Sequence, residues 1–161
     1  MILRDAKKED GPAVYEWLQE KEILVWFPIL PEKREIDDTH RIWMRFAVDE
    51  RAGITAEVDG KVVGMAILNL NYYTKMKHHC LLSILVDKEY RGQGVGSALL
   101  KELEKVAKER HGLKMLHLEV YDGNPAIHLY QKHGYVQFGK QERFTKENGK
   151  YVGKNLMQKD L

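Results

Sequence analysis

Apolar residues change period along the chain, and each change marks an element. Ile2, Leu3 and Ala6 open a short strand. Asp10 stands at an N-cap position with Pro12 just inside the first turn, and Val14, Trp17 and Leu18 line one face of the helix that follows. Beyond polar Lys21 and Glu22, the run Ile23 to Pro31 holds Trp26 and Phe27 but also Pro28 and Pro31, which make its end a loop. Its large side chains are read as packing groups ahead of pocket walls. Asp37 or Asp38 is expected to cap a second helix, with Ile42, Trp43 and Phe46 on one side and Arg41, Arg45 and Asp49 on the other. From Gly53 to Leu70 the alternation of Ile54, Ala56 and Val58, the Asp59-Gly60 dipeptide and the apolar stretch from Val62 predict a hairpin.

A strand begins near Lys77 and ends in the nearly continuous run Leu81, Leu82, Ile84, Leu85, Val86, the mark of a strand covered on both faces. From Ser97, Leu99, Leu103 and Val106 recur at helical spacing, with Leu100 and Ala107 widening the stripe. Glu104 and Lys108 are expected to pair on the opposite side, and Gly112 to stop the helix. Leu113 to Tyr121 is a two-faced strand, with Leu116, Leu118 and Val120 on one side and Met115, His117, Glu119 and Tyr121 on the other. A turn at Asp122 to Pro125 leads to a helix carrying Ile127, Leu129 and Tyr130, which Gly134 ends. Strands follow from Tyr135 and from Val152 to Met157, joined by a turn at Glu147 to Lys150. The order β-α-α-β-β-β-α-β-α-β-β predicts an α/β (α+β) sandwich with a mixed, mostly antiparallel sheet flanked by helices.

Composition narrows the classes without naming one. The 161 residues suit a single domain, 1–161, and 43% hydrophobic with 31% charged residues is ordinary for a soluble globular chain. A net charge of +2 gives no reason to expect nucleic acid as a partner. No apolar run reaches spanning length and no signal-peptide core is present, so no membrane partner is expected. The one cysteine, Cys80, leaves no internal disulfide and fits a reducing cytoplasm. His78-His79-Cys80 invites a metal, but neighbours on a strand face opposite ways and no second ligand pair stands at a suitable spacing; no metal is expected.

The chemistry gathers where the central strand meets the long helix. Arg91-Gly92-Gln93-Gly94-Val95-Gly96 crowds glycines into a turn that runs into a helix N-terminus. Free backbone N–H groups point outward there and the helix dipole adds about half a positive charge, so the ligand should carry phosphate or pyrophosphate. Arg91 adds a full charge beside it. The loop lacks the Gly-Lys-Ser/Thr ending of a Walker A motif, and its glycine spacing is not that of a dinucleotide fingerprint.

Arg/Gln-x-x-Gly-x-Gly/Ala after a hydrophobic strand does fit, and this block resembles the acetyl-CoA-binding core of the GNAT superfamily of N-acetyltransferases. Asn124-Pro125-Ala126 followed by Leu129-Tyr130 and Gly134-Tyr135 is similar to the superfamily's second block, with Tyr135 in place of phenylalanine. The resemblance implies a GNAT-like fold with acetyl-CoA as co-substrate. It implies that Arg91, Gly92 and the backbone from Gln93 through Gly94, Val95 and Gly96 to Ser97 hold the pyrophosphate. Leu85 and Val86 would offer main-chain groups to the pantetheine arm, and Asn124 would bond that arm or the backbone near it. The Val86 N–H, where strands should splay, would polarise the thioester carbonyl, and the Tyr130 hydroxyl would lie near the sulfur.

Acyl transfer to an amine also needs a base, and Glu119, within Leu118-Glu119-Val120, resembles the position that the ribosomal-protein N-terminal acetyltransferase branch of the superfamily uses for it; His117, His79, Tyr73 and a water chain are the alternatives. Cys80 has no evident activating partner, which favours direct transfer over a covalent relay. Trp26, Phe27, Tyr72 and Tyr73 suggest an acceptor with an apolar or flat part, and Asp37, Asp38 and Glu119 could attract its ammonium. The implied function is acetyl transfer from acetyl-CoA to a primary amine, with a small amine or amino acid preferred as acceptor. A protein N-terminus, a lysine, or a non-catalytic CoA sensor are the other readings. The last strand is a candidate for pairing in a homodimer.

Overall fold

The computed structural model describes residues 1–161. Strand β1 (Ile2–Asp5) leads through a 3-10 turn at Lys8–Asp10 into α1 (Gly11–Trp17), the four-residue α2 (Lys21–Leu24) and α3 (Lys33–Met44), which ends in a π-helical turn at Arg45–Asp49. Then come β2 (Gly53–Val58), β3 (Lys61–Asn69), β4 (His79–Val86), α4 (Val95–Glu109), β5 (Met115–Tyr121), α5 (Ala126–Lys132), β6 (Val136–Glu147) and β7 (Lys150–Asp160). They build one seven-stranded sheet in the order β1-β2-β3-β4-β5-β7-β6. Every neighbouring pair is antiparallel except β4 with β5. This is the mixed, mostly antiparallel sheet flanked by helices that the element order predicts.

Both faces of the central strands are covered, which is why they read as continuous apolar runs. Leu82, Leu116, Leu118 and Val120 face Leu99, Leu100 and Leu103 of α4. Met65, Ile67 and Leu85 face Val14, Trp17, Trp43 and Phe46 of α1 and α3 and the turn after it. Gly64 lets α4 lie directly on β3: a Cβ there would stand 2.9 Å from Leu99 Cδ1 and 3.2 Å from Val95 Cγ1. The β2–β3 turn uses positive φ at both Asp59 (50°) and Gly60 (78°), the conformation a two-residue hairpin requires.

Several local expectations give way to tertiary contacts. Helix α3 starts at Lys33 after Glu32, a full turn before Asp37 and Asp38, neither of which caps it. Asp37 instead accepts a 2.8 Å hydrogen bond from the Tyr15 hydroxyl, and Asp38 pairs with Arg41. Asp10 holds the position before α1 but its carboxylate turns inward, away from that helix. Ile42 is 48% exposed, because Ile36 takes the buried turn and the π turn brings both Phe46 and Ala47 to the core. Glu104 pairs with Lys159 of β7 at 2.7 Å rather than with Lys108. Strand β7 lies between β5 and β6 and is bonded on both sides, so it cannot pair across a dimer; the free edges are β1 and β6. No helix is long and apolar enough to cross a membrane.

Candidate active site

Strands β4 and β5 run together for three residue pairs, His79/Met115, Cys80/Leu116 and Leu81/His117, and then part. Alternation tells which backbone groups the opening leaves free. Asp87 donates its N–H to Val63 O at 3.0 Å, so Leu85 and Ser83 bond to β3 while Ile84 and Val86 turn their N–H and C=O toward the gap. Across it, Asp122 donates to Gly153 O at 3.0 Å, which gives Leu118 and Val120 to β7 and leaves the main chains of Glu119 and Tyr121 facing Ile84 and Val86. Of the two residues expected to offer main-chain groups there, Val86 does so. Leu85 has its polar groups bonded to Met65 and its side chain in the core beneath α1 and α3; Ile84 takes its place at the gap.

At the wide end of the gap lies the glycine turn. Gly92 (φ 73°) and Gly94 (φ 87°) adopt left-handed conformations that bend the chain into α4. The first helical bond runs from Ala98 N–H to Gly94 O at 3.0 Å, so the N–H groups of Val95, Gly96 and Ser97 have no partner within the helix. Arg91 Nε donates to Val86 O at 3.1 Å, tying the turn to the strand end. Gln93 bonds Glu89 O through its side chain, and the Val95 side chain is buried in the core, so neither side chain lines the cleft. Ser97 Oγ and His133 Nε2 are 2.6 Å apart, joining the N-terminus of α4 to the end of α5.

A cleft of about 800 Å³ runs through the opening and reaches both faces of the sheet. On the α4 side it is lined by Arg91, Gly92, Gly94, Gly96, Ser97, Asn124, Leu129, Tyr130 and Lys132. Asn124 caps the start of α5 by accepting the Ala126 N–H at 2.9 Å. Tyr130 packs edge-on against Tyr135, and burial pushes its hydroxyl up to about 12.

The opposite side draws on distant parts of the chain: Trp26, Phe27 and Ile29 from the segment after α2, Thr39 of α3, Glu119 and Tyr121 of β5, and Phe144 of β6. Glu119 is the one carboxylate lining the cleft, and its Oε2 lies 2.6 Å from Lys154 Nζ. Lys154 and Phe144 escaped sequence reading. The one signal for Lys154 is a lysine flanked by Val152 and Leu156 on the same face of β7.

Other expected contributors lie elsewhere. Tyr73 is 78% exposed, Tyr72 donates to Glu50 at 3.0 Å, and Asp37 and Asp38 sit on the outer side of α3, all outside the cleft lining. His79 and His117 share the face of Glu119 but stand where the strands are still paired, with ring centroids 5.3 Å apart. Burial and His79 hold His117 below the usual imidazole range. His78 precedes β4, so strand alternation does not govern it, and its ring meets that of His79 edge-on at 4.8 Å rather than pointing the opposite way. No three His, Cys, Asp or Glu side chains converge on a common point. Cys80 is fully buried, and burial raises its thiol to about 12, which denies it the thiolate a covalent relay would use.

A parallel pair that parts beside a glycine turn and a helix N-terminus, opening a passage between the two faces of the sheet, defines an acyl-CoA-dependent N-acetyltransferase. The chain belongs to the Acetyltransferase (GNAT) family, which it matches over residues 11–135. The family's fold uses acetyl-CoA. The L-amino acid N-acetyltransferase AaaT of Escherichia coli (strain K12) is 26% identical over 156 residues, spanning 94% of this chain and 93% of that protein. The crystal structure of a ribosomal-protein-alanine N-acetyltransferase from Brucella melitensis superposes with a TM-score of 0.84 at 27% identity over 100% of both chains. The yncA structure from Salmonella typhimurium, solved with acetyl-CoA, shares the fold at a TM-score of 0.83 and 21% identity, covering 99% of this chain and 92% of that one.

Proposed function

We propose that residues 1–161 form one N-acetyltransferase domain that moves an acetyl group from acetyl-CoA directly to the primary amine of a small acceptor, an amino acid. The observation that carries this reading is the passage between β4 and β5. Acetyl-CoA enters from the α4 side and the amine from the side of Trp26 and Phe27, so the two meet at the unpaired main chain of Ile84 and the N–H of Val86. The N–H groups of Val95, Gly96 and Ser97 take the pyrophosphate, with Arg91 beside them. Pantetheine amides bond Ile84 and Glu119 as an added strand would, with Asn124 beside the arm. The Val86 N–H polarises the thioester carbonyl as its oxygen gains charge. Glu119 receives the proton of the ammonium, directly or through water, and the Tyr130 hydroxyl faces the departing sulfur. The full-length similarity to an L-amino acid N-acetyltransferase supports the acceptor class.

The test is acetyl-CoA-dependent thiol release against amino acids, polyamines, aminoglycosides and N-terminal peptides. Turnover confined to amino acids is the expected result. Turnover confined to peptides would replace the acceptor, and acetyl-CoA binding without turnover of any amine would point to a sensor. In the pH–rate profile, Glu119→Gln should lose the acidic limb of the wild-type curve; a retained limb removes Glu119 as the base.

Gly94→Val tests the turn. A Cβ at Gly94 meets nothing within 4 Å, so the cost comes from φ 87° alone, on the order of 1–2 kcal/mol for a residue with a side chain. Relaxing that strain turns the Val95 and Gly96 N–H groups away from the ligand. Acetyl-CoA affinity, read by calorimetry, should fall about tenfold while the fold persists.

A further inference from the structure

We propose that Lys154 reads a carboxylate on the acceptor, sharing or exchanging its partner Glu119 when a zwitterionic amino acid enters the cleft. This rests on the amino-acid reading above and assigns the residue that enforces it.

Lys154 stands opposite Tyr121 in the β5–β7 ladder and diagonal to Glu119, on the acceptor-side face of the sheet. The residue is only 7% exposed. Its ammonium lies 2.6 Å from Glu119 Oε2 and 3.6 Å above the centre of the Phe144 ring. Glu119 and Phe144 both line the cleft, so Nζ sits immediately behind its wall, between two lining side chains. An ammonium has three N–H donors. Glu119 takes one and the ring face engages the cation electrostatically, which leaves donor capacity unspent.

The remainder of the acceptor side offers a carboxylate no positive charge. Its other lining groups are apolar or neutral donors, the hydroxyls of Thr39, Ser83 and Tyr121 and the indole of Trp26 among Ile23, Phe27 and Ile29. The other lining cations, Arg91 and Lys132, stand on the α4 side with the glycine turn and α5. An α-amino acid carries opposite charges on neighbouring atoms of one small group, matching the Glu119–Lys154 pair in reverse. With its ammonium on Glu119 and its carboxylate on Lys154, four charges alternate and none is buried unpaired. An amine without the carboxylate brings a cation beside a lysine that has nothing new to bond, and is disfavoured.

The experiment compares kcat/KM for phenylalanine, phenylalaninamide and 2-phenylethylamine, which share a side chain and differ at the carboxylate. Wild-type protein should prefer phenylalanine on the order of 100-fold. In Lys154→Met that preference should collapse toward one, and Lys154→Arg should restore much of it. Calorimetry with CoA present gives a second reading. Phenylalanine binding should weaken in Lys154→Met while CoA still binds, and retained CoA binding certifies the fold. Should Lys154→Met bind no CoA, Lys154→Gln and the wild-type preference for acid over amide carry the test. Equal use of acid, amide and amine by the wild type, or an undiminished preference in the folded variant, overturns the role of Lys154 while leaving an amine acetyltransferase. Turnover of N-terminal peptides alone overturns the amino-acid reading, and this inference with it.

Discussion

Tyr130→Phe should lower kcat about 100-fold while leaving the acetyl-CoA dissociation constant within about threefold of wild type. The argument starts from what the hydroxyl can do. Burial raises it to about 12, against roughly 8.5 for an ordinary thiol, so handing its proton fully to a thiolate is uphill by about 5 kcal/mol. The same burial keeps the hydroxyl protonated throughout the neutral range, where it remains a hydrogen-bond donor. A donor facing sulfur gains most as negative charge develops there, and a hydrogen bond to a charged partner contributes about 1.5–3 kcal/mol. That interaction belongs to the transition state, so its loss falls on kcat rather than on binding. Phenylalanine keeps the ring and its edge-on contact with Tyr135, whose centroid lies 6.0 Å away, so the site should not collapse. Unchanged turnover would remove Tyr130 from the mechanism. A descending limb near neutral pH that vanishes in the variant would show instead that the site lowers the hydroxyl far below its buried value.

The half of the site that holds this tyrosine was legible because it is local in sequence. Strand, glycine turn and helix are consecutive from Leu81 to Glu109, and each carries its own signal: an unbroken apolar run, glycines at positive φ, a helical stripe. The start of α5 at Asn124 and Tyr130 is equally local. Even there alternation mattered more than motif, since the β3 ladder takes the main chain of Leu85 and passes that position to Ile84. The acceptor side was opaque for the opposite reason. It draws Trp26 and Phe27, Thr39, Glu119 and Phe144 from separate parts of the chain, and only the strand order brings them together. The insertion of β7 between β5 and β6 sets Lys154 diagonal to Glu119, and nothing within Val152 to Met157 announces where that strand pairs. The same insertion gives Glu104 a partner in Lys159, against the helical spacing that favoured Lys108. Helix α3 began early because three further residues inside the chain competed for its supposed caps: Tyr15 engages Asp37, Lys33 lies a turn before it, and Arg41 holds Asp38.

Asp10→Ala should destabilise the protein by about 3 kcal/mol at neutral pH, lowering Tm by roughly 6–12 °C, with little change in acetyl-CoA affinity once folded. Asp10 is 2% exposed and far from the cleft lining, yet it is the hub of the N-terminal packing. Arg4 grips it with two bonds of 2.7 and 2.8 Å, Thr55 donates its hydroxyl at 2.8 Å, and the Lys7 backbone N–H donates at 2.9 Å. One carboxylate therefore ties β1 to β2 and both to the start of α1. Removing it leaves a buried hydroxyl and an amide without their acceptor and a partly buried guanidinium with Glu57 as its one remaining carboxylate, which is why the cost exceeds that of one ordinary hydrogen bond. Burial alone would raise the carboxyl, but Arg4, the Lys7 N–H and Thr55 outweigh it and hold the group below the usual carboxylate range. A carboxyl depressed by folding stabilises fully above its unfolded value, about 3.9, and loses that contribution as pH falls through the lower folded value. The gap between wild type and Asp10→Ala, read by urea unfolding, should therefore be widest above about pH 5 and narrow in acid. Asp10→Asn separates charge from geometry, since the amide fills the same space but presents one acceptor oxygen to four donors. It should lose most of the stability and the same acid dependence, whereas a gap that stays constant from neutral pH into acid would assign the effect to packing alone.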